Sequence, residues 1–233
     1  MSTFTYSEIA KMVDHSLLQP TMTDQELAEG CRLAKHYDVA SVCIKPCGVE
    51  LAHDLLAGSS VAVGTTIGFP HGGHKTAVKV AEAAAAIKDG ATELDMVVNI
   101  GKVLSKDWHY VTQDIAAVIE VAHAAKALVK VIFENCYLGR DHKEALCRIC
   151  GEAGADYVKT STGFGPTGAA DEDLKLMRRC SPSRVGVKAA GGVRTLDRLL
   201  AVRALGVSRV GASATQVILD ECRAAVGTLL VPS

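Results

Sequence analysis

Three charged side chains stand inside runs that are otherwise apolar: Asp95 in Glu93-Leu94-Asp95-Met96-Val97-Val98, Lys159 in Tyr157-Val158-Lys159-Thr160-Ser161-Thr162, and Lys188 in Val185-Gly186-Val187-Lys188-Ala189-Ala190. Taken singly, each reads as a charge that snorkels at the end of an element or closes a structural ion pair. Taken together they imply a paired polar cluster in the interior, because burying an unpaired charge costs several kcal/mol. Two neighbouring amines define a specific chemistry. An ordinary lysine, with a pKa of about 10.4, is neutral in on the order of one molecule in a thousand near pH 7. A cationic neighbour and partial desolvation lower that pKa and release an amine able to attack a carbonyl and form a Schiff base. Reaching about 7.5 takes roughly 4 kcal/mol of differential interaction, for which a second lysine is a source. The carboxylate of Asp95 would then move protons, directly or through a water, at the carbinolamine and enamine stages.

Two glycine-rich turns follow later apolar runs: Ala189-Ala190-Gly191-Gly192-Val193-Arg194 and Gly211-Ala212-Ser213. Backbone N–H groups exposed in such turns, next to a helix N-terminus, hold a phosphate dianion, although glycine also ends many strands for purely geometric reasons.

The elements that must position these residues recur along the whole chain. Eight short apolar or β-branched runs read as strands: Met12 to Leu18, Ala40 to Ile44, Val61 to Ile67, Glu93 to Val98, Val129 to Glu134, Tyr157 to Ser161, Arg184 to Ala189 and Arg209 to Ala212. Their starts are roughly 20 to 36 residues apart, the size of one strand-plus-helix unit. Between them, Lys75 to Asp89 reads as a helix with apolar residues at Ala77, Val80, Ala81, Ala84 and Ile87 and a terminating Gly90. Thr23-Asp24-Gln25-Glu26 and Asp141-His142-Lys143-Glu144 read as capped helix starts. Eight such units either close as a (β/α)8 TIM barrel or lie open as a doubly wound sheet. The count of eight favours the barrel, as one domain over residues 1–233. The one literal match to a dinucleotide fingerprint, Gly163-Phe164-Gly165-Pro166-Thr167-Gly168, is interrupted by Pro166, and the next strand ends in Lys188 where a ribose-binding acid is needed. In a barrel the period of two puts Lys188 on the inner side with Gly186 and Ala190, while Val185, Val187 and Ala189 face the helices.

Composition excludes several classes. Lys plus Arg (25) nearly cancel Asp plus Glu (26), so no chain-wide field favours nucleic acid or an anionic membrane. Hydrophobic residues at 48% with 21 glycines exclude a disordered or low-complexity chain. No run approaches 18 uninterrupted apolar residues and the first residues have no signal-peptide pattern, so the expected location is the cytoplasm. Eight cysteines in 233 residues are too sparse for a disulfide scaffold and read as reduced, mostly packed thiols.

Other constellations invite weaker readings. His71-Gly72-Gly73-His74 has two imidazoles on a flexible loop without carboxylates in the segment, which reads as a loop over the site rather than a metal pair. Cys147-Arg148-Ile149-Cys150 lies in a helical pattern with Leu146, Ile149 and Ala153 and reads as packing. Cys43 in its strand, with Cys47 after it, defaults to a packed thiol and is given no catalytic role.

These residues sit in longer segments that closely resemble the deoxyribose-phosphate aldolases, a class I aldolase family with a (β/α)8 barrel. The matching segments run in order from the first strand to the last: Val13 to Leu18, Gly64 to Gly72, Glu93 to Gly101, Val158 to Phe164, Gly186 to Gly192 and Gly211 to Ser213. The resemblance implies reversible cleavage of 2-deoxy-D-ribose 5-phosphate to D-glyceraldehyde 3-phosphate and acetaldehyde, in the degradation of deoxyribose phosphates, with no cofactor or metal. It implies Lys159 as the Schiff-base lysine, Lys188 as the residue that depresses its pKa, and Asp95 in the proton relay. It also implies Gly191, Gly192, Gly211 and Ser213 as phosphate ligands, with Asp14 and Lys130 supporting the substrate and relay network, and a homodimer. The chain departs from the family pattern in three places. Ala214 stands where many members have a second serine, Phe164 stands where another branch has lysine, and Leu229-Leu230-Val231-Pro232-Ser233 lacks the tyrosine that some members extend toward the site. Two further functions remain open to the sequence: a Schiff-base aldolase for another sugar phosphate, and a catalytically silent sugar-phosphate sensor.

Overall fold

Strands that are apolar on both faces must be covered on both, and parallel strands alternating with helices meet that requirement. In the computed structural model, which describes residues 4–229, eight such strands pair in chain order and β8 returns to β1, closing a barrel. They are β1 (Val13–Leu17), β2 (Ser41–Ile44), β3 (Ala62–Ile67), β4 (Glu93–Val97), β5 (Leu128–Ile132), β6 (Tyr157–Lys159), β7 (Gly186–Ala190) and β8 (Arg209–Ala212). All eight fall on the expected apolar runs. Four of them stop early, β1 and β4 by one residue and β5 and β6 by two. β5 ends at Ile132 because Glu134 has a left-handed backbone, φ 56°, which no strand continues through. β6 ends at Lys159, so Thr160 and Ser161 belong to the loop that follows.

Ten α-helices accompany the strands in the described residues. Before β1 comes the short α1 (Tyr6–Ala10), which the hydrophobic pattern does not announce; α2 (Asp24–Tyr37), α3 (Val49–Leu56) and α4 (Thr76–Lys88) follow β1, β2 and β3. The short α5 (Ile100–Leu104) and long α6 (Trp108–Ala124) both follow β4. The series ends with α7 (Arg140–Ala153), α8 (Asp171–Cys180), α9 (Leu196–Ala204) and α10 (Thr215–Leu229). Thr23 and Glu26 form the expected capping box at α2. The expected cap near Asp141 is displaced: Gly139 caps α7, its N–H donating to His142 Nδ1, and Glu144 pairs with Arg140 instead.

The face of α4 also differs from its pattern. Lys79, Ala83 and Ala86 are its buried residues, whereas Ala77, Ala81 and Ala84 are exposed and Val80 and Ile87 only half buried. An alanine-rich helix has little amphipathic contrast: Val80 and Ile87 still pack on the core, and a paired lysine joins Ala83 and Ala86 on the buried side. Lys79 Nζ lies 2.5 Å from Asp114 Oδ2 on α6 and donates to the Val97 carbonyl at 2.8 Å.

The wall of the barrel is conventional and its interior is not. Val187, Ala189, Leu94, Met96, Val129 and Val131 are fully buried, as expected of a strand surface covered by helices. Inside, where branched apolar residues usually stack in layers, sit Asp14, Glu93, Asp95, Lys130, Lys188 and Arg209, all buried. No helix of the described residues is long and apolar enough to cross a membrane.

Candidate active site

The three charges that interrupt the strands meet. Register sets β4 beside β5 with Asp95 opposite Lys130, and β6 beside β7 with Lys159 opposite Lys188. From these neighbouring pairs the side chains converge on one carboxylate: Lys159 Nζ and Lys188 Nζ each lie 2.7 Å from Asp95 Oδ2, and Lys130 Nζ lies 3.0 Å from Oδ1. Lys188 has a second partner, Asp14 Oδ2 at 2.5 Å on β1. Lys159 has no other carboxylate within ion-pair distance among the described residues. Asp14 and Lys130, expected in supporting positions, form the next layer, 3.1 Å apart.

Two residues that the sequence reading did not single out complete this layer. Glu93 Oε2 lies 2.5 Å from Lys130 Nζ, and Arg209 reaches Glu93 Oε1 at 3.0 Å and Asp14 Oδ1 at 2.6 Å. Their signal was present: Glu93 and Asp95 share one face of β4 at period two, and Arg209 opens β8 as Lys188 interrupts β7. At the first residue of a strand, however, a charge also has an ordinary explanation as a boundary. Seven buried charged groups thus form one continuous network, which satisfies the cost of burying them through mutual ion pairs and hydrogen bonds.

The network treats its two cavity-lining lysines differently. Burial lowers the pKa of Lys159, the ammonium of Lys188 lowers it further, and Asp95 opposes without overcoming them. Burial acts on Lys188 too, but there Asp14 and Asp95 outweigh it, and the pKa rises. Lys130, facing Asp14, Asp95 and Glu93, is raised well above the usual lysine value despite burial. Burial alone would raise Asp14 and Asp95; the surrounding cations hold both below the ordinary carboxylate range. Desolvation and a cationic neighbour, the two causes expected from the sequence, both lower Lys159, burial more strongly than Lys188.

Lys159 and Lys188 line a cavity of about 490 Å3 at the C-terminal end of the strands. Asp95, Asp14 and Lys130 lie beneath its floor. The expected phosphate residues Gly191, Gly192, Gly211 and Ser213 all border it, as do Arg194 and Thr162, which the sequence reading had not named as site residues. Gly191 and Gly192 have φ of 82° and 92°, in the region open mainly to glycine, and a Cβ on Gly191 would stand 2.8 Å from Gly168 Cα. The turn therefore presents bare backbone just before α9. Ser213 borders the cavity just before α10 and adds a hydroxyl, so the N-terminal ends of two helices adjoin this side of the cavity.

The adjoining wall, the loop after β6 next to this turn, depends on a buried carboxylate. Glu134 accepts the Thr162 N–H at 3.1 Å and the Thr162 hydroxyl, while Thr162 Oγ1 accepts the Phe164 N–H at 3.0 Å. This arrangement fixes the loop after β6, where Phe164 lines the cavity and stacks edge-on against Phe69 at 5.5 Å.

The remaining candidates lie elsewhere. His71 and His74 are exposed in the loop between β3 and α4, and no group of three or more potential metal ligands of the His, Cys, Asp and Glu types occurs among the described residues. Cys147 and Cys150 are buried free thiols on α7, both with pKa raised by burial, Cys147 to about 11. Cys43 does border the cavity, with Sγ 3.9 Å from Asp95 Oδ2, but burial and that carboxylate push its pKa up and so disfavour the thiolate. The tail residues from Leu230 onward lie outside the described residues.

A family model described as DeoC/LacD family aldolase matches residues 8–214. A relative from Rhodopirellula baltica named deoxyribose-phosphate aldolase is 56% identical over 97% of this chain and 94% of its own. One of the same name from Thermoanaerobacter is 49% identical over 91% of this chain and 96% of its own. Among solved structures, a deoxyribose phosphate aldolase from Aeropyrum pernix, described as tetrameric, superposes with a TM-score of 0.87 at 28% identity, covering 95% of this chain and 93% of that one.

Proposed function

Because this chain belongs to the DeoC/LacD family of aldolases, we propose that it cleaves 2-deoxy-D-ribose 5-phosphate reversibly to D-glyceraldehyde 3-phosphate and acetaldehyde through a Schiff base on Lys159. One observation carries the choice of nucleophile. Of the two lysines that border the cavity and share Asp95, Lys188 is held by a second carboxylate and Lys159 is not. The amine with fewer anionic partners gives up its proton more readily.

In this reading, neutral Lys159 Nζ attacks C1 of the open-chain sugar, and loss of water leaves a protonated imine. Removal of the proton from the C3 hydroxyl then breaks the C2–C3 bond; the electron pair moves into the imine as an enamine, and glyceraldehyde 3-phosphate departs. Protonation at C2 and hydrolysis of the imine release acetaldehyde and return Lys159. Asp95 serves the proton relay, since its carboxylate is the group in contact with Lys159 Nζ. Lys188 remains charged beside it, and its field favours the neutral form of Lys159. The phosphate sits against the backbone of Gly191, Gly192 and Gly211 and the hydroxyl of Ser213, with Asp14 and Lys130 supporting the relay from below. Ala214 supplies no second hydroxyl, so more of the phosphate's hold falls on backbone N–H groups. Its substrate makes the enzyme a step in deoxyribose phosphate degradation, and self-association as a homodimer belongs to the same reading.

The test is borohydride reduction of the protein incubated with deoxyribose 5-phosphate, with and without a chelator, followed by peptide mass mapping. A chelator-insensitive adduct on Lys159, absent from a folded Lys159→Ala variant that also lacks turnover, is the expected result. An adduct on Lys188 would reverse the two roles, and turnover without any adduct would overturn the Schiff base.

A further inference from the structure

The buried network holds four cationic side chains, Lys130, Lys159, Lys188 and Arg209, against three carboxylates, Asp14, Glu93 and Asp95. With every group ionised, it therefore carries one positive charge in excess. Loss of a single proton makes it neutral. We propose that Glu93 and Arg209, which touch neither Lys159 nor the cavity, are positioning residues that fix this charge balance and thereby set the pH above which Lys159 acts as a nucleophile. The inference rests on Lys159 being the Schiff-base lysine.

The geometry gives each group a defined place. Facing Lys159 are Asp95 from β4, Lys188 from β7 and the thiol of Cys43 from β2. Facing Glu93 are Lys130 from β5 and Arg209 from β8. Arg209 meets Asp14 from β1 as well, and its guanidinium lies 5.5 Å from the centre of the Tyr157 ring on β6. Glu93 and Arg209 thus lie in the layer below the cavity, closing a bridge across the barrel interior between β4 and β8. Both hold on to Lys130 or Asp14, so that Lys130 and Lys188 keep their carboxylates and remain ammonium. Lys159 is the group left with the excess proton.

Both positions are two strands away from β6, or about 10 Å. At an effective dielectric constant of about 20, a unit charge at that distance shifts a pKa by on the order of one unit. The signs are opposite. Glu93→Gln removes a negative charge, disfavours the ammonium form of Lys159 and moves its titration to lower pH. Arg209→Gln removes a positive charge and moves it to higher pH. The Glu93→Gln/Arg209→Gln double variant restores the excess of one and returns the titration to near the wild-type position.

The measurement is the pH dependence of borohydride-trapped adduct formed with acetaldehyde, which carries no phosphate to titrate in the same range, in variants whose circular dichroism matches wild type. Expected are shifts of on the order of one pH unit in opposite directions for the single variants and recovery in the double. A purely structural role would lower adduct yield in both singles without opposed shifts, and that result would overturn the proposal, as would a shift of the same sign in both. If one single variant does not fold, the sign of the other decides the matter. Absence of any Lys159 adduct in the wild-type protein would instead remove the reading on which the inference rests.

Discussion

At the scale of single residues, the decisive contrast is between two lysines one strand apart. Both are buried, both border the cavity and both contact Asp95 Oδ2 at 2.7 Å. The difference lies in Asp14, which adds a second carboxylate to Lys188 alone. Replacing Lys188 by methionine should therefore do two things. It removes the positive neighbour that lowers Lys159, so the ammonium of Lys159 becomes more stable and the acid limb of kcat/KM moves to higher pH, by on the order of one unit. It also leaves Asp14 with Lys130 and Arg209 as partners, so the fold survives. A pH–rate profile with matched circular dichroism checks both, and an acid limb that moves down would contradict the field assigned to Lys188. Much of this site was legible residue by residue. A charged side chain within an apolar strand is conspicuous, and period two assigns it a face, which is how Asp95, Lys159 and Lys188 were found. Glu93 and Arg209 escaped because each opens its strand, where a charge has an ordinary explanation.

At the scale of elements, the largest departure from expectation is on α4. Its buried face is organised by the ion pair between Lys79 and Asp114 on α6, with the Thr76 hydroxyl also donating to Asp114 at 2.8 Å. Both side chains are essentially inaccessible, so removing one partner leaves an uncompensated buried charge. Lys79→Met should destabilise the protein by about 3–5 kcal/mol, whereas Lys79→Met with Asp114→Leu should recover most of that loss. Urea unfolding of the two variants measures the difference directly; equal destabilisation in both would show that the pair does more than neutralise itself. Pattern reading found the helix and its two larger apolar contacts but not the lysine, for a physical reason. Hydrophobic periodicity marks Val80 and Ile87, which do pack on the core, but it barely separates one alanine from another and cannot foresee a lysine buried beside them by a partner on another helix.

At the scale of the whole molecule, the buried groups couple stability to pH in two stages. His15 on β1 is buried against the Thr215 hydroxyl at the start of α10, 2.8 Å away, and burial lowers its pKa to about 4. Between about 6.5 and 4 the unfolded chain takes up a proton that the folded one refuses, so stability falls as pH drops through that window, by up to about 3 kcal/mol. Asp14 and Asp95 are held below their unfolded value near 4, so their contribution is present above it and is lost as pH falls further. Urea midpoints at pH 7, 5 and 3.5 should decline in both steps, and His15→Asn should flatten the first step alone. A stability that stays level from pH 7 to 5 would contradict the first stage. By itself the sequence determined the eight strand-and-helix units, the three charges that break them and the glycine turns at the ends of β7 and β8, because each is written in local spacing and backbone preference. Only the tertiary structure decided which lysine is the less tightly held, that Glu93 and Arg209 close the network below the cavity, and that Glu134 anchors the loop carrying Thr162 and Phe164. Those are matters of partners drawn from strands far apart in the chain, and a proton's place in such a network follows from the sum of all its charges, which no single segment contains.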